Sequence, residues 1–375
     1  MSKLQLISEE LSNACSAADM RPLINSLVMR PRLRLDQLRR YERSEAKRFR
    51  KPGYVMTATD PHQGDQALGK PKVSVIIISY NMAREVPRTV QSFLPPYQRG
   101  LEPGDVEVIV LENGSPHPIA PEIIAQWPES VRYINIENPE KSPAKALNYG
   151  AEIARADVIC PLIDGARMAS PGLLQTGLSA LRCGERTFAA TIGFHIGRKL
   201  QQIAVTEGYN QEKEDHLIAS IEWPKNGYRL FDIAAPAGSS RAAWFGAIAE
   251  TNAPILTKKL FEEVGGYDER FNIPGGGLVN LDFLNRVVGD ETIDYFLLMG
   301  EATFHQFHGG VTTSRHVQLE EDDGETTWSK YVRQYEAIRG EAFSTPSRKP
   351  MLFGSFPREA AEIARRGIVN VMNAG

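Results

Sequence analysis

Four short runs of β-branched and aliphatic residues, separated by helix-patterned segments, fill residues 72–163 and constrain this chain more than any other feature. They read KVSVIIISY (72–80), VEVIVLENG (106–114), VRYINIEN (131–138) and VICPLI (158–163). Runs this short and this continuously apolar suit strands covered on both faces. After the first run the pattern predicts a helix over Glu85–Phe93, stopped by Pro95 and Pro96. Before the fourth, SPAKALNYGAEIARA (142–156) places Ala144, Leu147, Ala151 and Ala154 on one helical face. Ser142 is the expected N-cap there, with Pro143 at the first helical position. Strand–helix–strand alternation at this spacing predicts βαβ units and a largely parallel sheet.

A chain of 375 residues accommodates one large α/β domain with additions. The linker-like stretch TDPHQGDQALGKPK (59–72) divides a basic, helical N-terminal extension over 1–70 from the α/β domain at 71–315. A helical C-terminal extension is expected over 316–375. Between Arg21 and Lys51, eleven Lys or Arg face three acids, a local excess of +8 in a chain of net charge −3. Leu35, Leu38 and Tyr41 give that segment one apolar stripe. Three readings stand for it: a solvated helix packed on the main domain, a contact with an anionic membrane surface or acidic partner, or a subunit contact in a homo-oligomer. The small net charge argues against a nucleic-acid partner. Cys15, Cys160 and Cys183 are too sparse for a disulfide framework or a thiolate metal site. The N-terminus is mixed and acidic, unlike a secretory signal, and no apolar run nears the roughly 18–20 residues of a membrane helix. The expected location is cytoplasmic, with peripheral contact at the inner membrane face as an option.

Ligands of open α/β sheets bind outside the carboxyl ends of the strands. That rule selects Ser79, Tyr80 and Asn81; Glu112, Asn113 and Gly114; and Asp164 with Arg167. Each set also has a bland account, because Asn and Gly form turns. Three polar sets on one sheet edge predict a ligand crevice.

Taken in order, these pieces resemble inverting glycosyltransferases of family 2 with the GT-A fold, a Rossmann-like, mostly parallel sheet flanked by helices. The resemblance spans roughly residues 72–312. VSVIIISYN is similar to the family's opening strand, and EVIVLENGS to its second, which normally ends D-D-G-S. PAKALNYGAEIARADVI resembles the segment before the family's D-x-D strand, and LIDGARMASP stands at the D-x-D itself. TNAPILTKKLFEEVGGYDERF resembles the acceptor-side segment, and GGGLVNLDFLNR stands where the family usually has G-G-E-D-x-D.

The resemblance implies a nucleotide-sugar donor and a leaving nucleoside diphosphate whose charge must be neutralised. It implies donor contacts at Ser79, Tyr80, Asn81, Glu112, Asn113, Lys145, Asp164 and Arg167. Relatives commonly use Mg²⁺ or Mn²⁺, held by the last Asp of D-x-D and often a later His; here the candidates are Asp164, His305 and His308. The third D-x-D position, however, is Ala166, which cannot hold a metal. Arg167 is therefore expected to act in catalysis by supplying the missing positive charge through paired guanidinium donors, with weak or no metal dependence. A structural pairing of Arg167, for instance with Asp157, is the rival. The family's Glu-Asp pair falls on Val279 and Asn280, which leaves Asp282 as the nearest candidate base, with Asp268 and Glu269 in the same region. An N-cap role is the alternative for Asp282. Asn148 is read either as a ligand contact or as a buttress, and Trp223, Trp244 and Phe245 either as sugar-facing rings or as core. Two functional readings follow: transfer of a sugar with inversion to a hydroxyl of a glycan, lipid-linked or protein acceptor, or a catalytically degenerate domain that binds nucleotide or glycan as a scaffold.

Overall fold

In the computed structural model of this protein, described here over residues 69–309 and 325–374, the first apolar run is strand β1, Val73–Ser79, buried along its whole length. Strands β2 (Val106–Glu112), β3 (Val131–Asn135) and β4 (Val158–Leu162) follow as the sequence pattern predicts. β1 pairs in parallel with both β2 and β4, and β2 in parallel with β3. Helices α1 (Val86–Phe93), α2 (Pro121–Ile124) and α3 (Ala144–Ile153) lie between them in sequence.

The continuous apolar character of these strands has a direct cause. Val75, Ile77, Val108 and Val110 pack with Val86, Val90 and Phe93 of α1. Their neighbours Ile76, Ile78, Ile109 and Leu111 pack with Ala144, Leu147 and Ala151 of α3. Alternate residues thus enter two different cores, and each buried Val or Ile contributes about 1.5–3 kcal/mol. Gly150 lets α3 rest directly on the sheet, because a Cβ there would overlap Ile76 and Leu111.

The second half of the sheet is mixed. It contains β5 (Arg167–Ala169), β6 (Thr187–Ile196), β7 (Ala234–Pro236), β8 (Ile255–Thr257) and β9 (Asp294–His305), with helices α4 (Leu173–Ala180), α5 (Gln201–Thr206), α6 (Gln211–Ser220), α7 (Lys258–Glu263) and α8 (Val279–Gly289). With β10 (Met351–Gly354) included, the strand order is β10-β9-β6-β8-β4-β1-β2-β3, with β5 added on β9 and β7 on β6. β8 is antiparallel to both β4 and β6, so β4, β6 and the parallel β9 all direct their carboxyl ends to one edge.

The C-terminal extension is mainly helical, with one strand added. α9 (Thr327–Arg339) and α10 (Ala361–Ala374) are helices, but β10 (Met351–Gly354) between them joins the sheet in parallel beside β9. The basic N-terminal segment and the acids at 320–324 lie outside the described residues. Among those described, no helix is long and apolar enough to cross a membrane.

Candidate functional site

The chain leaves β4 at Leu162 and turns sharply through Asp164, Gly165 and Ala166. Gly165 is required by the close approach: a Cβ there would overlap the Ile78 carbonyl oxygen. Its own carbonyl accepts from Thr89 Oγ1 at 2.6 Å, and the Ala166 N–H donates to Asp164 Oδ1 at 2.9 Å. The chain then doubles back as β5, antiparallel to β9, with Arg167 opposite His305. On the far side of β9, His195 of β6 also pairs with His305. Arg167, His305 and His195 therefore form one row across three strands, while Met168, Phe304 and Phe194 turn to the opposite, apolar face.

Asp164 Oδ2 is the focus of the row. His305 Nε2 lies 2.8 Å from it, His308 Nε2 3.6 Å and Arg167 Nε 3.6 Å. The two imidazole Nε2 atoms face each other at 3.1 Å. On its other side, His305 Nδ1 lies 2.6 Å from Gln201 Oε1, and Gln201 Nε2 donates to the His305 carbonyl at 3.0 Å. The Gln201 backbone N–H donates to His195 Nδ1 at 3.0 Å. Arg167 is buried, and its Nε and Nη1 make no hydrogen bond.

Burial would raise the Asp164 carboxyl, but His305 and His308 overrule it and hold the group well below the usual carboxylate range. Burial pushes His305 down to about 4 against the pull of Asp164. His308 is also buried, yet Asp164 outweighs that effect and raises it. Near neutral pH His305 is thus uncharged. Burial, with His305 and Arg167 adding to it, takes His195 down to about 2. A supporting group closes the segment behind His308. Glu214 accepts from the Phe307 N–H at 2.7 Å and from Arg84 Nη2 at 2.7 Å, and burial raises it to about 7.

The other residues selected from the sequence are placed differently. Ser79, Glu112 and Asn113 are buried, and Tyr80 and Asn81 are exposed, at the end of β1 and β2. The Glu112 carboxylate accepts from Ser79 Oγ at 2.9 Å, Tyr133 OH at 3.1 Å and the Ser115 N–H at 3.1 Å, and from Ser115 Oγ. Four donors from the chain itself occupy it. Asn113 Nδ2 donates to the Glu140 carbonyl at 2.9 Å, and Lys145 pairs with Glu140 at 2.9 Å. Asn148 is a buttress: it exchanges hydrogen bonds with the Tyr267 backbone at 2.8 and 2.9 Å. Trp244 is fully buried in the core, and Trp223 is partly buried against Tyr97.

Asp282, the expected base, has its partners within the chain. Asp282 is fully buried on α8 and accepts from Arg286 Nε at 2.9 Å and from Arg339 Nε at 2.5 Å and Nη2 at 2.7 Å. Arg339 also holds Asp268 at 2.9 Å. Arg339 thus ties α9 to α8 through Asp282 and to the segment before α8 through Asp268. Asn280 is buried with both amide atoms unpartnered. The proposed pairing of Arg167 with Asp157 is also absent, since Asp157 pairs with Lys70 at 2.7 Å.

Asp164, His305 and His308 place one potential ligand atom each within 4.8 Å of one another. One carboxylate oxygen with two imidazole nitrogens fits a divalent cation, and the nitrogens favour a Mn²⁺-like ion over Mg²⁺, which prefers oxygen throughout. His195 and Gln201 went unread in the sequence; the run TFAATIGFHI (187–196), with His195 next to its end, was the available signal.

Residues 74–182, from β1 through the Asp164 turn to the end of α4, match the sequence profile described as Glycosyl transferase family 2. Over this segment the chain is similar to family 2 glycosyltransferases. The mixed, mostly parallel sheet flanked by helices is the GT-A arrangement expected of it. Similar solved structures include S. aureus TarS 1-349 in complex with UDP-GlcNAc, at 12% identity and TM-score 0.44, over 73% of this chain and 68% of that one. S. aureus TarS 1-349 in complex with UDP follows at 12% identity and TM-score 0.42, over 63% of this chain and 60% of that one. No curated protein matches the chain in sequence.

Proposed function

We propose that this protein transfers a sugar from a nucleotide-sugar donor to a hydroxyl acceptor with inversion, and that the donor diphosphate lies against Asp164, Arg167, His305 and His308. The observation that carries this reading is the convergence of one carboxylate and two imidazoles at the carboxyl ends of β4 and β9, beside a buried guanidinium, in a chain similar to family 2 glycosyltransferases. In the reaction the acceptor oxygen attacks the anomeric carbon as the bond to the diphosphate oxygen breaks. The electron pair departs on the diphosphate, and the acceptor proton passes to a base. A divalent cation held by Asp164, His305 and His308 would supply charge neutralisation at the diphosphate. Arg167 adds a fixed positive charge with two buried donors free for phosphate oxygens. The acceptor is proposed only as a hydroxyl of a glycan, a lipid-linked sugar or a protein.

Donor turnover across UDP-, GDP- and dTDP-sugars tests this proposal. The expected result is turnover of at least one donor, lost with EDTA and restored by Mn²⁺. Full activity in EDTA would remove the metal from the proposal and leave Arg167 as the neutralising group. One observation favours a second reading: Asn280 replaces the expected carboxylate, and Asp282 is locked between two arginines. A binding scaffold would take up a sugar nucleotide and turn over none.

A further inference from the structure

Gln201 grips His305 at two points, and the chemistry of those points fixes a proton. The His305 carbonyl oxygen only accepts, so the Gln201 atom 3.0 Å away is the amide NH₂. The Gln201 atom 2.6 Å from His305 Nδ1 is then the amide oxygen, which also only accepts. Nδ1 must therefore carry the hydrogen. In a neutral ring this leaves the Nε2 lone pair directed at Asp164 Oδ2, 2.8 Å away. Two lone pairs at that distance repel unless a cation or a shared proton sits between them.

Gln201 is itself held. It is the first residue of α5 and is fully buried, and its backbone N–H donates to His195 Nδ1 at 3.0 Å. His195 lies beside His305 in the sheet, ring centroids 5.7 Å apart, and touches none of Asp164, His305 or His308 by a hydrogen bond. We infer that Gln201, anchored by His195, is a positioning residue that locks His305 in its Nδ1–H tautomer and so presents a bare Nε2 to a divalent cation shared with Asp164 and His308. This inference rests on the metal reading of the proposed function, because the lock matters only if Nε2 is a ligand. Groups that orient a metal-bound imidazole through its second nitrogen typically change metal affinity 10–100-fold.

The test combines Mn²⁺ titration of the full-length protein with nitrogen-15 NMR of its histidines in the metal-free state. Wild type should show His305 protonated at Nδ1 and should bind Mn²⁺. Gln201→Leu should let the tautomer shift and weaken Mn²⁺ binding about 10–100-fold. Gln201→Glu, which keeps an acceptor for Nδ1–H, should stay near wild type in both readouts. A purely structural role would lower the melting temperature of both variants without moving the tautomer. An Nε2–H tautomer in the wild type overturns the inference without any variant. So does unchanged Mn²⁺ affinity in Gln201→Leu. Absence of Mn²⁺ binding by the wild type defeats the metal reading instead, and the NMR still decides whether the lock exists.

Discussion

Two parts of one sheet edge end in a buried acid, and they treat it in opposite ways. At the end of β2, Glu112 is surrounded by neutral donors: three hydroxyls and one backbone N–H from Ser79, Ser115 and Tyr133. At the end of β4, Asp164 faces imidazoles and a guanidinium. The first acid is saturated by its own chain and works as a latch joining β1, β2 and β3. The second has partners that carry or can take charge, and that can exchange a proton for a cation. A polar residue at a strand's carboxyl end is thus not by itself a site. What decides is whether its partners leave it chemistry to do.

The largest effect that would separate the two regions is on turnover. Asp164→Ala should abolish Mn²⁺ binding and reduce donor turnover on the order of 10²–10³-fold, as read by titration and by release of nucleoside diphosphate. Glu112→Ala should do the reverse: stability falls by about 2–4 kcal/mol as several buried donors lose their acceptor, and Mn²⁺ affinity stays unchanged. Denaturant unfolding checks it, and lost donor binding at unchanged stability would make Glu112 a donor contact after all.

A third buried acid sharpens the contrast. Glu301 on β9 receives hydrogen bonds from Tyr228 OH at 2.7 Å, from the Gly172 N–H at 3.2 Å and from Ser170 Oγ. Burial raises its carboxyl to about 7, and these neutral donors offset only part of that. Its folded pKa lies above its unfolded value, so its contribution is complete at low pH and is lost as pH rises through about 7. The expected loss is on the order of 2–3 kcal/mol between pH 4 and 8, and Glu301→Gln should flatten that part of the stability–pH curve. Asp164, held low, acts in the opposite sense: its contribution is present above the usual carboxylate pKa and is lost as the solution is acidified. The smallest effect concerns Lys145, whose pairing with Glu140 is partly exposed. Lys145→Ala should change stability by less than about 0.5 kcal/mol; a marked loss of donor affinity would extend the functional region onto α3.

Local residue patterns were enough to read the first half of the sheet. β1 to β4, α1 and α3 were legible because their apolar periodicity is local, and each strand and helix face follows from neighbours a few residues away. Asp164 was legible for the same reason, as the residue where an apolar run stops. The second half was not, because β5, β7 and β8 are three residues each, too short for a periodic signal, and β10 is four. The site's composition was decided only by tertiary structure. Asp164, His195, Gln201 and His305 are brought together by strand pairings that span over a hundred residues, from β5 to β9. Likewise the pairing of Asp282, the candidate base, with Arg339, 57 residues on, comes from long-range packing. Residue type names the chemistry a side chain can perform; the partners that long-range packing assigns decide whether it remains free to perform it.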